Sequence, residues 1–88
     1  MLTQVKKDCQ KRLNYIEGHL QGIKKMVSDD KYCVDVLKQT FAVRRAIEKL
    51  ETIILEGHLK THVVEGIKEG HEEDILGELL DLYELSNK

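Results

Sequence analysis

The sequence predicts an all-α protein, and two observations predict it. Apolar side chains recur at steps of three and four residues through most of the chain, the period of a helix with one buried face. Strand-type alternation is scarce, and no proline interrupts the long patterned stretches. A chain of 88 residues is expected to form a single domain, 1–88. That length is near the lower limit for a self-sufficient core, where oligomerisation, metal or disulfides commonly add stability.

Three helices follow from the pattern. In the first, Leu2, Val5, Leu13, Ile16, Leu20, Ile23 and Val27 form one stripe, and Cys9 fills the gap after Val5. Thr3 is placed to cap it. Ser28-Asp29-Asp30 breaks the pattern, ending this helix and capping the next. The second helix is expected over about 31–63, a long central element. Its stripe of Val36, Leu37, Phe41, Val43, Ile47, Leu50, Ile54 and Leu55 is wide enough to need neighbours on more than one side. Gly57 weakens it locally. Gly66 and Gly70 bracket a break. His71 then opens a third helix, with Glu72, Glu73 and Asp74 suitably placed at its N-terminus. Ile75, Leu76, Leu79, Leu80, Leu82 and Tyr83 form its apolar face.

The net charge of −2 conceals an asymmetry. Residues 1–26 carry six basic and two acidic groups, and 31–50 five basic and two acidic; 51–88 carry three basic and ten acidic. A basic N-terminal half suits a polyanion, although solvated helix faces would read the same. No apolar run is long enough to cross a bilayer, and the N-terminus lacks a signal-peptide core. The expectation is a cytoplasmic protein with no membrane partner, whose two cysteines are thiols.

His58 and His62 are four residues apart, so both imidazoles share one helix face within reach of one metal ion. The alternative is two unrelated surface histidines. Two imidazoles do not complete a typical transition-metal site, and a thiolate would. Cys33 is either that thiolate or a small buried hydrophobe. At roughly 1.5 Å per residue it stands about 38 Å from His58 along one straight helix. An antiparallel second copy, with its two-fold axis near Ala46, would place Cys33 of one chain beside His58 and His62 of the other. Cys9 falls in register with the apolar stripe and reads as core. His19 reads as a boundary residue and His71 as a helix-start residue.

The segments RLNYIEGHLQGIKKM at 12–26, YCVDVLKQTFAVRRAIEKLE at 32–51 and LEGHLKTHVV at 55–64 resemble the copper-sensitive operon repressor family, which includes nickel/cobalt and formaldehyde sensors. The resemblance covers nearly the whole chain. It implies an antiparallel helical dimer that pairs into a dimer-of-dimers tetramer. It implies a metal triad of Cys33, His58 and His62 shared between protomers, and repression by binding double-stranded operator DNA without a helix-turn-helix. Metal would lower DNA affinity and release an efflux or detoxification gene. Tyr32 and Glu78 match positions that accompany copper sensing, with Glu78 accepting the free ring N–H of His58.

His62 departs from the copper pattern, where Cys is usual, and matches nickel/cobalt members. Those members also use an N-terminal His, and MLTQVKK has none. A site of one sulfur and two nitrogens suits Cu(I), which is the expected metal, with Ni(II), Co(II) and Zn(II) as alternatives. The family's DNA-contact positions fall on Arg12, Arg45 and Lys49, and Lys11, Lys24 and Lys25 add to the same basic half. These would contact mainly phosphate. A metal-buffering helical bundle that binds no DNA is the rival reading. An enzyme using Cys33 and His58 as thiol and base is not expected, because no oxyanion hole or substrate pocket is apparent.

Overall fold

A computed structural model describes residues 1–88. It is all-helical: α1 Thr3–Ser28, α2 Cys33–His58, a π-helical segment Leu59–Val63, α3 Val64–Lys68 and α4 Glu72–Ser86. The backbone stays in the right-handed helical region at His58, Leu59, Val63 and Val64. The second expected helix is therefore one rod from Cys33 to Lys68. It runs past the expected end near residue 63, so the structure has three helical rods.

Gly66 does not open a break. It lies inside α3 and is buried. The reason is packing: a Cβ there would stand 2.7 Å from Ile75 Cγ1 of α4. The glycine is a contact point between helices, and the turn is confined to Glu69, Gly70 and His71. Gly70 adopts φ +82°. His71 N–H donates to Gly66 O at 2.8 Å and Gly70 N–H to Ile67 O at 3.1 Å, the paired bonds of a Schellman closure. The same closure ends α1, where Lys31 N–H reaches Met26 O and Asp30 N–H reaches Val27 O. There Asp30, at φ 53°, takes the left-handed position that glycine usually fills.

Two expected caps are absent. Leu2, not Thr3, precedes α1, and no side chain caps it; Leu2 O already accepts Lys6 N–H, so Thr3 is helical. Ser28, Asp29 and Asp30 end α1 but do not cap α2. Tyr32 occupies that position without a side-chain bond, and Asp35 lies in the first turn. The acids of α4 sit in its first turn as expected.

The core is a seam between α1 and α2. Cys9 and Ile16 pack with Val43 and Leu50, flanked by Val5, Ile23, Ala46, Ile53 and Ile54. Only six of 88 residues are buried. The molecule is flat, 56 × 30 × 14 Å, with a radius of gyration of 17.4 Å; a compact domain of this length would have about 12 Å. Much of the apolar pattern stays outside. The expected α1 stripe divides: Val5, Cys9, Ile16 and Ile23 face α2, while Leu2, Leu13, Leu20 and Val27 are about half exposed. On α2, Leu37, Phe41, Ile47 and Leu55 are likewise exposed. No helix is long and apolar enough to cross a membrane.

Candidate metal centre

His58 is the last residue of α2, and His62 lies in the π segment that follows. Their ring centroids are 5.4 Å apart at an interplanar angle of 39°. The local sequence explains the widened turn. Thr61 Oγ1 donates to Gly57 O at 2.7 Å, and such back-bonding bends helices. Gly57 also eases a close approach on its other side, since a Cβ there would stand 3.1 Å from Val5 Cγ2 and push that side chain by a few tenths of an ångström. Sequence reasoning noted Gly57 as a weak point but missed the π turn. The Gly57–Thr61 pairing at i, i+4 was the available signal. Lys60 of the π segment also reaches back to Glu56 at 2.7 Å; this hydrogen bond and charge hold the Glu56 carboxyl below its ordinary range.

His58 Nε2 lies 2.7 Å from Glu78 Oε1 of α4. A carboxylate only accepts, so the shared proton sits on Nε2 and Nδ1 keeps its lone pair. That leaves one ring nitrogen free to ligate, with the ring's orientation held from α4. The pair is open to solvent, with side chains 31% and 56% exposed. His58, His62 and Glu78 border an open groove of about 1260 Å³, walled further by Met1, Leu2 and Leu82.

Cys33 is a free, exposed thiol at the first position of α2, and Tyr32 beside it is 70% exposed. No group of three His, Cys, Asp or Glu residues within one chain could hold a metal ion. Yet Cys33 and the histidines share a face. Cys33, Leu37, Thr40, Arg44, Ile47, Glu51, Leu55, His58 and His62 follow one another at steps of three and four residues, which is one continuous flank of a helix. Potential ligands therefore stand at both ends of a flank lined with exposed apolar side chains.

The basic residues divide differently. Arg12 is half exposed and gives its Nε–H to Asp8 Oδ1 at 3.0 Å. Arg12, Lys11, Asp8 and Tyr15 surround a notch floored by Ala46. Arg45 and Lys49 are exposed and flank Ala46 on α2, away from the Cys33 flank. Lys24 is exposed one turn after Leu20, on the apolar side of α1, and Lys25 points outward. The structure thus brings Lys11 and Arg12 together, sets Arg45 and Lys49 nearby along the rod, and leaves Lys24 and Lys25 outside that cluster.

Comparison with known proteins converges on one family. A family model for metal-sensitive transcriptional repressors matches residues 5–84. The copper-sensing transcriptional repressor CsoR of Bacillus subtilis is 42% identical over 77 residues, covering 88% of this chain and 76% of that protein. CsoR of Mycobacterium tuberculosis strain H37Rv is 39% identical over 80 residues, covering 91% and 67%. The crystal structure of CsoR with Cu(I) from Geobacillus thermodenitrificans superposes with a TM-score of 0.94 at 35% identity, covering all of this chain and 92% of that one. The nickel-responsive regulator InrS superposes at 0.77, also with 35% identity, covering 89% and 88%. With a helical fold that matches along its whole length and a family match spanning nearly all of its residues, this chain belongs to the metal-sensitive transcriptional repressors, a family of regulators rather than enzymes.

Proposed function

We propose that this protein is a cytoplasmic repressor that binds operator DNA when metal-free and releases it when Cu(I) occupies a site formed by Cys33 of one subunit and His58 and His62 of another. The observation that carries the reading is the shared α2 flank. Its ligands are too far apart in one chain and correctly ordered for an antiparallel copy, and the apolar side chains between them supply the contact. The names of the relatives, copper-sensing CsoR above all, support copper. Tyr32 stands beside Cys33, and Glu78 ties His58 to α4. A metal-induced shift of His58 would pass through that bond to the acidic helix, which can bias an assembly with two arrangements.

Nickel or cobalt is the second reading, favoured by His62, an imidazole where Cu(I) would prefer a further thiolate, and by the likeness to InrS. Operator-DNA anisotropy titrated with Cu(I), Ni(II), Co(II) and Zn(II) decides between them. The cognate metal is expected to weaken DNA binding at least tenfold, and by linkage DNA weakens that metal equally. Operator affinity untouched by all four metals would sink the reading.

The shared site has its own test. Cys33→Ala and His58→Ala subunits are each expected to bind no metal tightly. Mixed and re-equilibrated, they form hybrid dimers with one intact site, recovering about a quarter of the sites. No recovery in verified hybrids would place the ligands within single chains.

A further inference from the structure

The face of the helix pair away from Cys33 carries a notch that the metal triad does not use. Between α1 and α2 lies a concavity of about 330 Å³, lined by Asp8, Lys11, Arg12, Tyr15 and Ala46. Ala46, with only a methyl side chain, leaves room at its floor. Its rim holds two cations and a phenol.

Arg12 does not swing freely there. Its Nε–H is committed to Asp8 Oδ1 at 3.0 Å, with both side chains a little under two-fifths exposed. A guanidinium has five N–H donors in a fixed plane. A bond through Nε leaves both terminal nitrogens free, and the edge between them presents two N–H groups side by side. That edge matches two oxygens of a phosphate group. Tyr15 is oriented as well, meeting His19 edge-on at 5.9 Å, while His19 Nε2 is bonded to Gln39 of α2 at 2.7 Å. The notch therefore has an oriented cation, an oriented aromatic and the exposed Lys11. Two positive charges and one negative leave a local charge of +1, which balances a phosphodiester monoanion and falls short of a free phosphate dianion.

We propose that this notch seats a single backbone phosphate of duplex DNA. Arg12 and Lys11 meet its charge, the Tyr15 hydroxyl donates a hydrogen bond, and Asp8 is a positioning residue that aims Arg12. The proposal rests on the DNA-binding reading above and deepens it. It adds Asp8 and Tyr15 to the interface, and it separates Lys11 and Arg12 from Lys24 and Lys25. The notch lies away from the Cys33 flank, so a second copy covering that flank leaves it open.

The test is the salt dependence of duplex binding by the full-length metal-free protein and four variants. Arg12→Gln is expected to flatten the slope of log K against log salt by about 0.9 for each protomer in contact, on operator and unrelated duplexes alike. Tyr15→Phe is expected to weaken binding about fivefold with the slope unchanged, as loss of one neutral hydrogen bond would. Asp8→Asn keeps an oxygen for Arg12 Nε and removes a charge that repels DNA, so it binds as well as the parent or better. Asp8→Ala frees Arg12 and binds several-fold more weakly than Asp8→Asn. Metal loading at the far flank, measured alongside, is unchanged in all four.

Parent-like binding by Tyr15→Phe, or an unchanged slope for Arg12→Gln, overturns the seat. Equal tightening by Asp8→Asn and Asp8→Ala overturns the positioning role and makes Asp8 a repelling charge. Inorganic phosphate at matched ionic strength is expected not to compete with DNA; competition would reassign the notch to free phosphate. If the parent protein itself shows no salt-dependent DNA binding, the repressor reading fails. If it binds normally and the variants do not differ from it, the notch alone fails.

Discussion

At His58, one hydrogen bond decides which nitrogen can ligate and which helix feels the ligand. Glu78 accepts the Nε2–H at 2.7 Å, so Nδ1 is the nitrogen left free to ligate and α4 is attached to the ring. The expected effect of Glu78→Gln follows from that division. Removing an outer carboxylate partner typically costs roughly 10- to 100-fold in metal affinity. Metal release of DNA should fall by a larger factor than metal binding does, because the link to α4 is lost. Paired metal and DNA titrations check this, and equal losses would show that the bond only orients the ring.

Among the helices, the arrangement depends on two glycines that act as contact surfaces. Gly57 lets Val5 of α1 approach at the start of the π turn, and Gly66 lets Ile75 of α4 rest on α3. Both sit near the histidines, so the backbone is thinnest where three helices meet at the site. Gly66→Val is expected to overpack this contact, lower stability by about 1–3 kcal/mol and undock α4. Hydrogen exchange should then rise across α4 and leave the α1–α2 seam protected; uniform exchange would refute a local contact. The other turn offers a contrast. Asp30 pays for its left-handed backbone in conformational energy, so Asp30→Val should cost about 1–2 kcal/mol while Asp30→Gly costs nothing, as thermal melts would show.

As a whole molecule, one chain is unfinished. Six buried residues and a 14 Å thickness leave Leu13, Leu20, Leu37, Ile47 and Leu55 against water, more apolar surface than a stable monomer normally exposes. A second copy on the α2 flank would bury Leu37, Ile47 and Leu55 and, in the proposed site, join Cys33 to His58 and His62 in one step, coupling assembly to metal binding. Ile47→Glu, placed mid-flank and 39% exposed, should leave the single chain's helix content intact. It should also shift the assembly toward monomer and lower metal affinity with it. Sedimentation and metal titration on the same samples check this; tight metal binding by a monomeric variant would rule out the shared site.

Much was determined by sequence alone. Steps of three and four residues identified the helices, the i, i+4 spacing put His58 and His62 on one helix face, and helix length set Cys33 far from both within one chain. Those are consequences of local periodicity, which any helix of this sequence must obey. The tertiary structure decided what local rules leave open. It kept Gly66 inside the rod, because Ile75 needs the space and a glycine's helix-weakening tendency is smaller than that packing. It divided one α1 stripe into a half that meets α2 and a half left exposed, since a single neighbour covers only part of a helix's circumference. It set the α1 face that carries Asp8, Arg12 and Tyr15 over Ala46 of α2. Contacts between residues far apart in the chain set these features, and periodicity carries no record of them.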